Sequence, residues 1–249
     1  MNLNLSNKVA LVTGSSRGIG KSIAEALHAE GCKLAINGRN ESDLKRVSEG
    51  MLGSFAVAGD MTSFEDARAV IDKVIEKFGR LDILVCNVGS GRSVPPGDET
   101  AQEWGRVFAC NLFSTTNAVE AARGALALTK GVIICISSIC GLEVIRGAPV
   151  TYSAAKAALH AYVRGIAYPL GKIGVRINAV APGNIIFEGS VWDGKLSTDF
   201  SGTQALLSNN IAFSRFGLPE EVAGLVVCLA SSYTSYVTGA ILRVDGGYV

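Results

Sequence analysis

Seven short apolar runs recur along the chain and alternate with longer polar stretches. The runs are continuously apolar rather than alternating, which is typical of strands covered by helices on both faces, as in a parallel sheet. We therefore predict seven strands: KVALVT (8–13), KLAIN (33–37), SFAVA (54–58), LDILVC (81–86), GVIICIS (131–137), GVRINAV (174–180) and AILRV (240–244).

The stretches between the apolar runs have helical spacing of their hydrophobic residues. We predict helices at about 18–30, 41–50, 63–79, 100–127, 151–172 and 219–231. Strand and helix in strict alternation indicate an α/β fold with a doubly wound parallel sheet and helices on both faces. With no linker or low-complexity segment, residues 1–249 are predicted to form one domain.

One segment interrupts this alternation. Residues 183–205 carry four glycines, scattered aromatic residues and charges of both signs. A loop of this length in a compact domain is usually a lid, a binding loop or disordered. We interpret it as a substrate lid that contains a short helix and ends at about residue 211; a variable surface loop is the alternative.

The composition excludes several classes of partner. Of 249 residues, 48% are hydrophobic and 18% charged, with a formal net charge of +1. Because the basic residues are dispersed, we expect no nucleic-acid partner and no membrane partner. Six cysteines without a C-x-x-C pair, and no signal peptide at the N-terminus, favour reduced thiols in a cytoplasmic protein. With only two histidines, His28 and His160, we expect no metal site.

A glycine-rich turn joins the first strand to the first helix, in the sequence VALVTGSSRGIGKSIAEAL. Its glycines, Gly14, Gly18 and Gly20, have the spacing GxxxGxG. Such a turn lets backbone N–H groups approach a pyrophosphate at the positive end of a helix. The turn is therefore a candidate dinucleotide site; a purely structural turn is the alternative.

The end of the second strand indicates which dinucleotide would bind. An acid there would hydrogen-bond a ribose 2′-hydroxyl, whereas a cation would accept a 2′-phosphate. The sequence AINGRNES places Gly38 and Arg39 at this point, and the first acid is Glu41. Arg17 in the glycine turn is a second cation. We therefore predict NADP(H) as the preferred cofactor and NAD(H) as the less favoured one, although Arg39 alone is also compatible with a solvated loop residue.

Seven separated motifs then occur in a fixed order: TGSSRGIG (13–20), CNVG (86–89), Asn111, ISS (136–138), YSAAK (152–156), APG (181–183) and VDGG (244–247). Together they resemble the short-chain dehydrogenase/reductase family in its compact form. The resemblance implies a Rossmann-like, seven-stranded fold and an NADP(H)-dependent oxidoreductase that interconverts a carbonyl and a secondary alcohol. It also implies a homotetramer or a dimer.

The resemblance assigns roles to individual residues. The catalytic residues would be Asn111, Ser138, Tyr152 and Lys156. The residues that contact the cofactor, with Arg39 added from the argument above, would be Gly14, Ser16, Arg17, Gly18, Ile19, Gly20, Arg39, Asp60, Met61, Asn87, Gly89, Tyr152, Lys156, Pro182, Gly183 and Ile185.

The sequence departs from the family pattern at three places. Val88 replaces the usual alanine of the CNVG motif, and Phe187 stands where a threonine often binds the carboxamide. Ser138 lies 14 residues before Tyr152, where 13 is common, so Ser137 is the alternative serine.

The spacing of Tyr152 and Lys156 has a chemical meaning of its own. Residues four apart share a helix face, so the Lys156 ammonium would lie near the Tyr152 hydroxyl. We expect this charge, together with that of the oxidised nicotinamide, to lower the tyrosine pKa by about two to three units. Tyr152 would then be the general acid and base. His28 is too remote, and His160 lies two turns beyond Tyr152, as expected for a packing or interface residue.

The substrate pocket is predicted between residues 139–150 and the lid. Its proposed lining is Ser138, Leu142, Phe187 and Trp192, with Val144, Ile145 and Ile186 as further apolar candidates and Glu143, Arg146 and Glu188 as polar ones. This lining suits a small carbonyl or alcohol compound of mixed polarity. Two other functions stay open: a 3-oxoacyl-(acyl carrier protein) reductase, and a non-catalytic nucleotide-binding regulator on the same fold.

Overall fold

The computed structural model describes residues 2–249, and none of the helices within that range is long and apolar enough to cross a membrane. The strands are β1 (Val9–Val12), β2 (Lys33–Gly38), β3 (Phe55–Ala58), β4 (Ile83–Cys86), β5 (Val132–Ile136), β6 (Arg176–Pro182) and β7 (Ile241–Val244). The helices are α1 (Gly18–Ala29), α2 (Glu41–Glu49), α3 (Phe64–Phe78), α4 (Ala101–Phe108), α5 (Ser114–Thr129), α6 (Val150–Lys172), α7 (Val191–Thr198), α8 (Phe200–Asn210) and α9 (Pro219–Ala230).

The seven strands form one parallel sheet in the order β3-β2-β1-β4-β5-β6-β7. This confirms the predicted fold class and all seven predicted strands. The order reverses between β1 and β4, which pair through Ala10 and Ile83. In a doubly wound sheet, ligands bind beyond the carboxyl ends of the strands at such a reversal.

Alternate residues of each strand enter two different cores. In β1, Val9 and Leu11 pack with α3, α5 and α6, whereas Ala10 and Val12 pack with α1, α2 and α9. Because successive side chains of a strand point to opposite faces, both sets must be apolar. This is why the strands read as unbroken hydrophobic runs in the sequence.

The predicted helix at 100–127 is interrupted. Helix α4 ends at Phe108, a π-helical turn covers Ala109–Phe113, and α5 begins at Ser114. Within the turn, Asn111 donates from Nδ2 to the Val107 carbonyl at 3.0 Å. Single π-turns often occur at functional sites, because the extra residue changes the direction of side chains.

The predicted lid segment contains two helices rather than one short one. Helix α7 ends at Thr198, and α8 begins two residues later. Asp199 separates them, because its carboxylate accepts a hydrogen bond from Gly202 N at 2.9 Å and caps α8. Beyond α8, Ile211 pairs with Tyr248 in an antiparallel bridge, so the C-terminal residues lie beside the end of this segment.

Candidate active site

A single large cavity of about 1160 Å³ lies along the carboxyl edge of the sheet. The ends of β1, β2 and β4 line one half, and the ends of β5 and β6, the loop before α6 and helix α7 line the other. The candidate dinucleotide site and the candidate catalytic residues thus line one continuous cavity.

The glycine turn occupies the first half. Gly14 and Gly18 have positive φ angles of 62° and 53°, a conformation that L side chains rarely adopt. A Cβ at Gly20 would lie 2.3 Å from Asn87 Nδ2 and 2.4 Å from the Gly14 carbonyl, so only glycine fits there. The backbone is therefore held in a tight turn directly before α1.

Asn87, at the end of β4, fastens this turn to the sheet. Its Nδ2 donates to the carbonyls of Thr13 at 3.1 Å and Gly14 at 2.9 Å. Its own N–H donates to Thr13 Oγ1 at 3.0 Å. The asparagine of the CNVG motif thus fixes the path of the glycine turn.

The N-terminus of α1 faces the cavity without a side-chain cap. Arg17 stands at the N-cap position and makes no capping hydrogen bond. The first N–H groups of a helix lack intrahelical partners and favour an anion. The donor set and the glycine turn therefore fit the pyrophosphate of a nicotinamide dinucleotide.

At the end of β2, a cation faces the same space. Arg39 lines the cavity, and a Cβ added to Gly38 would lie 3.7 Å from Ser16 Cβ, so the strand end touches the glycine turn. Asn40 begins α2 by accepting a hydrogen bond from Ser42 N at 2.9 Å. Asp60, the acid in this half of the cavity, accepts from Thr62 N at 2.9 Å and from Thr62 Oγ1 at 2.8 Å.

Ser138 and Tyr152 meet in the second half of the cavity. Ser138 Oγ accepts from Cys140 N at 3.1 Å, which holds the hydroxyl at the end of β5. Ser137, the alternative serine, instead bonds His160 Nε2 at 2.7 Å inside the protein. His160 is buried and packs behind the site, so the serine beside Tyr152 is Ser138.

Lys156 lies one helical turn beyond Tyr152 on the same face of α6. Its Nζ is 5.8 Å from the centre of the Tyr152 ring and donates to the Ile136 carbonyl at 3.0 Å. A Cβ at Gly89 would lie 3.1 Å from this Nζ and 3.0 Å from Asn111 Oδ1. Gly89 therefore leaves room for both predicted catalytic side chains.

The pKa values in the protein alone differ from the sequence-based expectation. Burial raises the pKa of the Tyr152 hydroxyl above its usual value, and the Ser138 side chain opposes that shift. Burial also lowers the pKa of Lys156 to about 8. The expected lowering of the tyrosine pKa is therefore wrong for the protein without cofactor, because desolvation outweighs the opposing hydrogen bond with Ser138.

Asn111 lies behind the cavity rather than in its wall. Its side chain is buried, with Oδ1 accepting from Ser90 N at 2.9 Å and Nδ2 donating to the Ser90 carbonyl at 3.1 Å. These bonds fix the loop that follows β4. That Asn111 also anchors a catalytic water stays a prediction.

The structure places most of the predicted residues in the cavity wall. The residues that line it are Gly14, Ser16, Arg17, Ile19, Gly20, Arg39, Asp60, Met61, Asn87, Gly89, Ser138, Tyr152, Lys156, Pro182, Gly183, Ile185, Phe187 and Trp192. Gly18 does not, because a Cβ there would lie 2.4 Å from Phe187 Cε2, so the Phe187 ring covers it.

Leu142 is not among the residues that line the cavity, where residues 145–149 form the wall in this region. Leu142 is half-buried and follows a short 3₁₀ turn, so its role in the substrate pocket stays a prediction. Val144 is exposed to solvent, and Glu143 pairs with Arg243. Of the polar candidates, Arg146 lines the cavity, and Glu143 and Glu188 do not; of the apolar ones, Ile145 lines it and Ile186 does not.

The cavity residues that the sequence did not reveal include two cations near the catalytic end. Arg92 follows the CNVG motif by three residues, and Lys195 lies on α7. Lys195 stacks over the Trp192 ring with its Nζ 4.6 Å from the ring centre. A sequence signal existed for Arg92, the first cation after the β4 motif, but Lys195 depends on the unforeseen path of α7.

Comparisons with known proteins agree with this arrangement. A family model described as "Enoyl-(Acyl carrier protein) reductase" matches residues 14–249. Glucose 1-dehydrogenase 2 of Bacillus subtilis is 34% identical, with 98% of this chain and 95% of the relative covered. The 3-oxoacyl-(acyl-carrier-protein) reductase of Chlamydia muridarum is also 34% identical, with 99% of both chains covered.

A solved structure, 7α-hydroxysteroid dehydrogenase complexed with NADH and 7-oxo glycochenodeoxycholic acid, has nearly the same backbone. Its TM-score is 0.92 at 30% identity, with 100% of this chain and 96% of the other covered. The relatives thus share the whole length and fold of this chain. The chain belongs to the short-chain dehydrogenase/reductase family and is an oxidoreductase that acts on CH–OH and C=O groups.

Proposed function

We propose that this chain reduces a small-molecule ketone or aldehyde with NADPH, or oxidises the corresponding alcohol with NADP⁺. The observation that carries the proposal is the cavity itself. Its first half presents a glycine turn and an uncapped helix N-terminus, and its second half presents Ser138, Tyr152 and Lys156. A dinucleotide held in the first half would direct its nicotinamide toward the second.

The residues of the second half divide the chemistry between them. When bound, the nicotinamide supplies the hydride in reduction and takes it in oxidation. Ser138 Oγ holds the substrate oxygen, and the Tyr152 hydroxyl donates the proton that this oxygen needs as the carbon is reduced. Lys156 orients the cofactor ribose and supplies a positive charge beside Tyr152. Pro182, Gly183 and Ile185, at and just beyond the end of β6, line the cavity and would pack against a bound nicotinamide.

The preference for NADP(H) over NAD(H) rests on charge at the end of β2. Arg39 lines the cavity where the end of β2 meets the glycine turn, and neither Arg39 nor Arg17 makes a salt bridge within residues 2–249. A ribose 2′-phosphate at this point would meet Arg39. The Arg17 guanidinium lies toward the lid, with its Nη1 3.4 Å from a Cβ added at Gly189. Asp60 is engaged with Thr62 and would contact the adenine side instead.

Residues 183–211 are proposed to act as a lid on a single domain. Phe187 covers the glycine turn, and Trp192 packs against Phe216 with ring centres 5.5 Å apart. The lid would therefore close over the cofactor with Phe187 and over the substrate with Trp192.

A homotetramer in the cytoplasm completes the proposal. Helices α5 and α6 and the π-turn between α4 and α5 expose apolar side chains that a partner would cover, including Tyr168 at 73% exposure and Leu128 at 89%. The six cysteines are free thiols, as suits a reducing compartment.

The experiment that tests this function follows NADPH oxidation at 340 nm against a panel of ketones, aldehydes and sugars. We expect turnover of at least one carbonyl class by the wild-type protein. Tyr152→Phe should lose about 100-fold or more in kcat, because the proton donor is removed, while NADPH binding is retained. Near-normal turnover in Tyr152→Phe would refute the assignment. NADPH binding without turnover across the panel would favour a nucleotide-binding regulator.

A second candidate function is the reduction of a 3-oxoacyl group on an acyl carrier protein. The similarity to a reductase of this kind favours it. Against it, the sequence EAARGALALTKG at the end of α5 offers only Arg123 and Lys130 for an acidic carrier protein. A 3-oxoacyl-carrier-protein substrate added to the same screen would decide between the two.

A further inference from the structure

The charge on the cavity wall is far from that of the whole chain. The chain has 23 basic and 22 acidic residues. The cavity wall, in contrast, contains a single acid, Asp60, and seven cations: Arg17, Arg39, Arg92, Arg106, Arg146, Lys156 and Lys195. Positive side chains that share one cavity repel one another unless an anion lies among them, so each cation is expected to have a negatively charged partner.

Four of the seven cations have a partner or a role already. Arg39 faces the proposed 2′-phosphate of the cofactor, Arg17 stands at the start of α1 beside the proposed pyrophosphate, and Lys156 serves Tyr152 and the ribose. Arg106 is neutralised by Glu103, whose carboxylate accepts hydrogen bonds from Arg106 Nε at 2.8 Å and from Nη2 at 2.6 Å. Hydrogen bonding by Arg106 holds the pKa of Glu103 at about 2, so this pair stays ionised. Arg92, Arg146 and Lys195 are left.

These three cations lie at the catalytic end. The residue before Arg92 is Gly91, where an added Cβ would lie 3.9 Å from the Tyr152 ring and 4.0 Å from Val191 of the lid. Arg92 itself reaches the lid, donating from Nη2 to the Gly189 carbonyl at 3.1 Å. Its other guanidinium N–H groups make no hydrogen bond within residues 2–249.

The other two cations approach from different elements. Arg146 belongs to the loop between Ser138 and α6, and Lys195 belongs to α7 of the lid. Burial raises the pKa of the Cys140 thiol, and the charges of Lys156 and Lys195 act against that rise. Lys195 lines the same cavity as Ser138 and Tyr152, and its Nζ lies 4.6 Å from the centre of the Trp192 ring.

The acids around this end are used elsewhere. Glu143 and Asp245 both pair with Arg243, and Asp193 accepts from Gly189 N at 2.9 Å. Glu188 is exposed and does not line the cavity. Across the described residues, no carboxylate lies within 4.0 Å of the side-chain nitrogens of Arg92, Arg146 or Lys195.

We infer that the substrate is a ketone or secondary alcohol that also carries an anionic group, a carboxylate or a phosphate, bound by Arg92, Arg146 and Lys195. The inference rests on the proposed function and adds the substrate class to it. Trp192 and Ile145 supply the apolar wall for the carbon skeleton between the reacting carbon and the anion. Arg92, Arg146 and Lys195 are exposed where they line the cavity, so ion pairs there favour the anion over a neutral analogue and are weakened by salt.

The test compares ketones with one carbon skeleton and different charge: 6-oxoheptanoate, 6-oxoheptyl phosphate and the neutral 6-oxoheptanamide. We expect kcat/KM to be about tenfold or more higher for at least one anion than for the amide. The preference should fall as salt is raised, because exposed charges are screened. The carboxylate and the phosphate ester tell which anion is preferred.

Variants show whether the three cations cause the preference. Arg92→Ser, Arg146→Ser and Lys195→Ser should each lower kcat/KM for the anion by about three- to tenfold and leave that for the amide within about twofold. Lys73→Ser, an exposed change on α3, is the matched control and should alter neither. A variant that lowers kcat/KM equally for the anion and the amide would mean that its cation only supports the lid, which contradicts the inference for that residue.

Binding can also be measured without turnover, by calorimetric titration of the NADPH-bound enzyme with each anion and with the amide. Tighter binding of either anion than of the amide supports it, and equal binding overturns it. Absence of turnover with every ketone, with the anion still bound selectively, counts against the proposed function alone. Equal kcat/KM for anion and amide overturns the inference and leaves the function intact. Reduction of a 3-oxoacyl-carrier-protein that depends on the three cations, without preference for small anions, also overturns it.

Discussion

Arg39 is the side chain at a strand end on which the proposed cofactor preference rests. It projects from the carboxyl end of β2 beside the glycine turn, where an acid would repel a 2′-phosphate. The sequence alone identifies this position, because it follows a recognisable strand by one residue. Its geometry depends on Gly38, which brings the strand end against Ser16.

Replacing this cation should change cofactor selectivity rather than activity as such. We expect Arg39→Ala to raise the KM for NADPH by about tenfold or more and to change that for NADH by less than about twofold. Steady-state kinetics with both cofactors measures this. An unchanged NADPH/NADH preference would refute the NADP(H) proposal.

Lys156 illustrates the cost of placing a charge inside the protein. Burial lowers its pKa to about 8, whereas an unfolded lysine titrates near 10.4. Below about pH 8 the native state carries the full cost of the buried ammonium. Between pH 8 and 10 the native state has released a proton that the unfolded chain still holds, so the unfolding free energy gains a contribution that rises with pH.

Lys156→Met should remove this contribution. Without cofactor, the unfolding free energy of the wild type relative to Lys156→Met is expected to rise by about 1 kcal/mol per pH unit from pH 8 to 9.5. Denaturant titrations at pH 7, 8, 9 and 9.5 give the difference, and the exposed Lys73→Met serves as the control. Parallel curves for wild type and Lys156→Met would show that the buried lysine keeps its ordinary pKa.

At the scale of elements, the lid and the first helix are joined by one contact. The Phe187 ring lies where a Cβ of Gly18 would stand, at 2.4 Å. Gly18 also has a φ of 53°, so an alanine there meets both a clash and backbone strain. The two effects are separable, because Gly53 has a φ of 83° with nothing within 4 Å of an added Cβ.

A double-mutant cycle should therefore show strong coupling. We expect Gly18→Ala to cost about 3 kcal/mol of unfolding free energy, and Gly53→Ala about 1 kcal/mol from strain alone. The double variant Gly18→Ala/Phe187→Ala should lose at least about 1 kcal/mol less unfolding free energy than the two single variants lose in sum. Additive effects in urea unfolding would mean that the ring does not rest on the glycine turn.

The sequence predicted regular elements well and irregular ones poorly. Continuous apolar runs identified all seven strands, because the five inner strands are almost wholly buried on both faces, although the edge strands β3 and β7 are only partly buried. The π-turn at Ala109–Phe113 has no such pattern, since one extra residue hardly disturbs helical spacing. Helices α7 and α8 were also merged into a single short helix, because their few buried residues leave a weak amphipathic signal.

At the scale of the whole molecule, the sequence predicts the cofactor and catalytic half of the site well and the substrate half poorly. Residues in short motifs at strand ends, such as Asn87 and Ser138, were named through the family resemblance, whose motifs occur where the fold positions these residues. The substrate side is less predictable, because residues 142–149 follow a path that no periodicity encodes, and Leu142 is not among the residues that line the cavity. Arg92, Arg146 and Lys195 likewise reach one cavity from segments that are far apart in the sequence.

The proposed assembly is testable at this scale. Sedimentation equilibrium should give about four times the chain mass of 25.9 kDa. Tyr168→Glu, on the exposed face of α6, should reduce that mass, because a charge would be buried in the interface. Leu52→Glu, at 93% exposure outside these helices, is the matched control and should not change it. A wild-type protein that sediments as a monomer would contradict the tetramer.

The sharing of each strand between two cores has a consequence for cooperativity. Leu11 and Val12 are neighbours in the chain, yet they belong to opposite halves of the hydrophobic interior. Neither half can loosen without releasing the backbone that also holds the other. Fluorinated or isotopically labelled side chains at these adjacent positions would therefore be two independent reporters of a single melting event, one for each layer of helices.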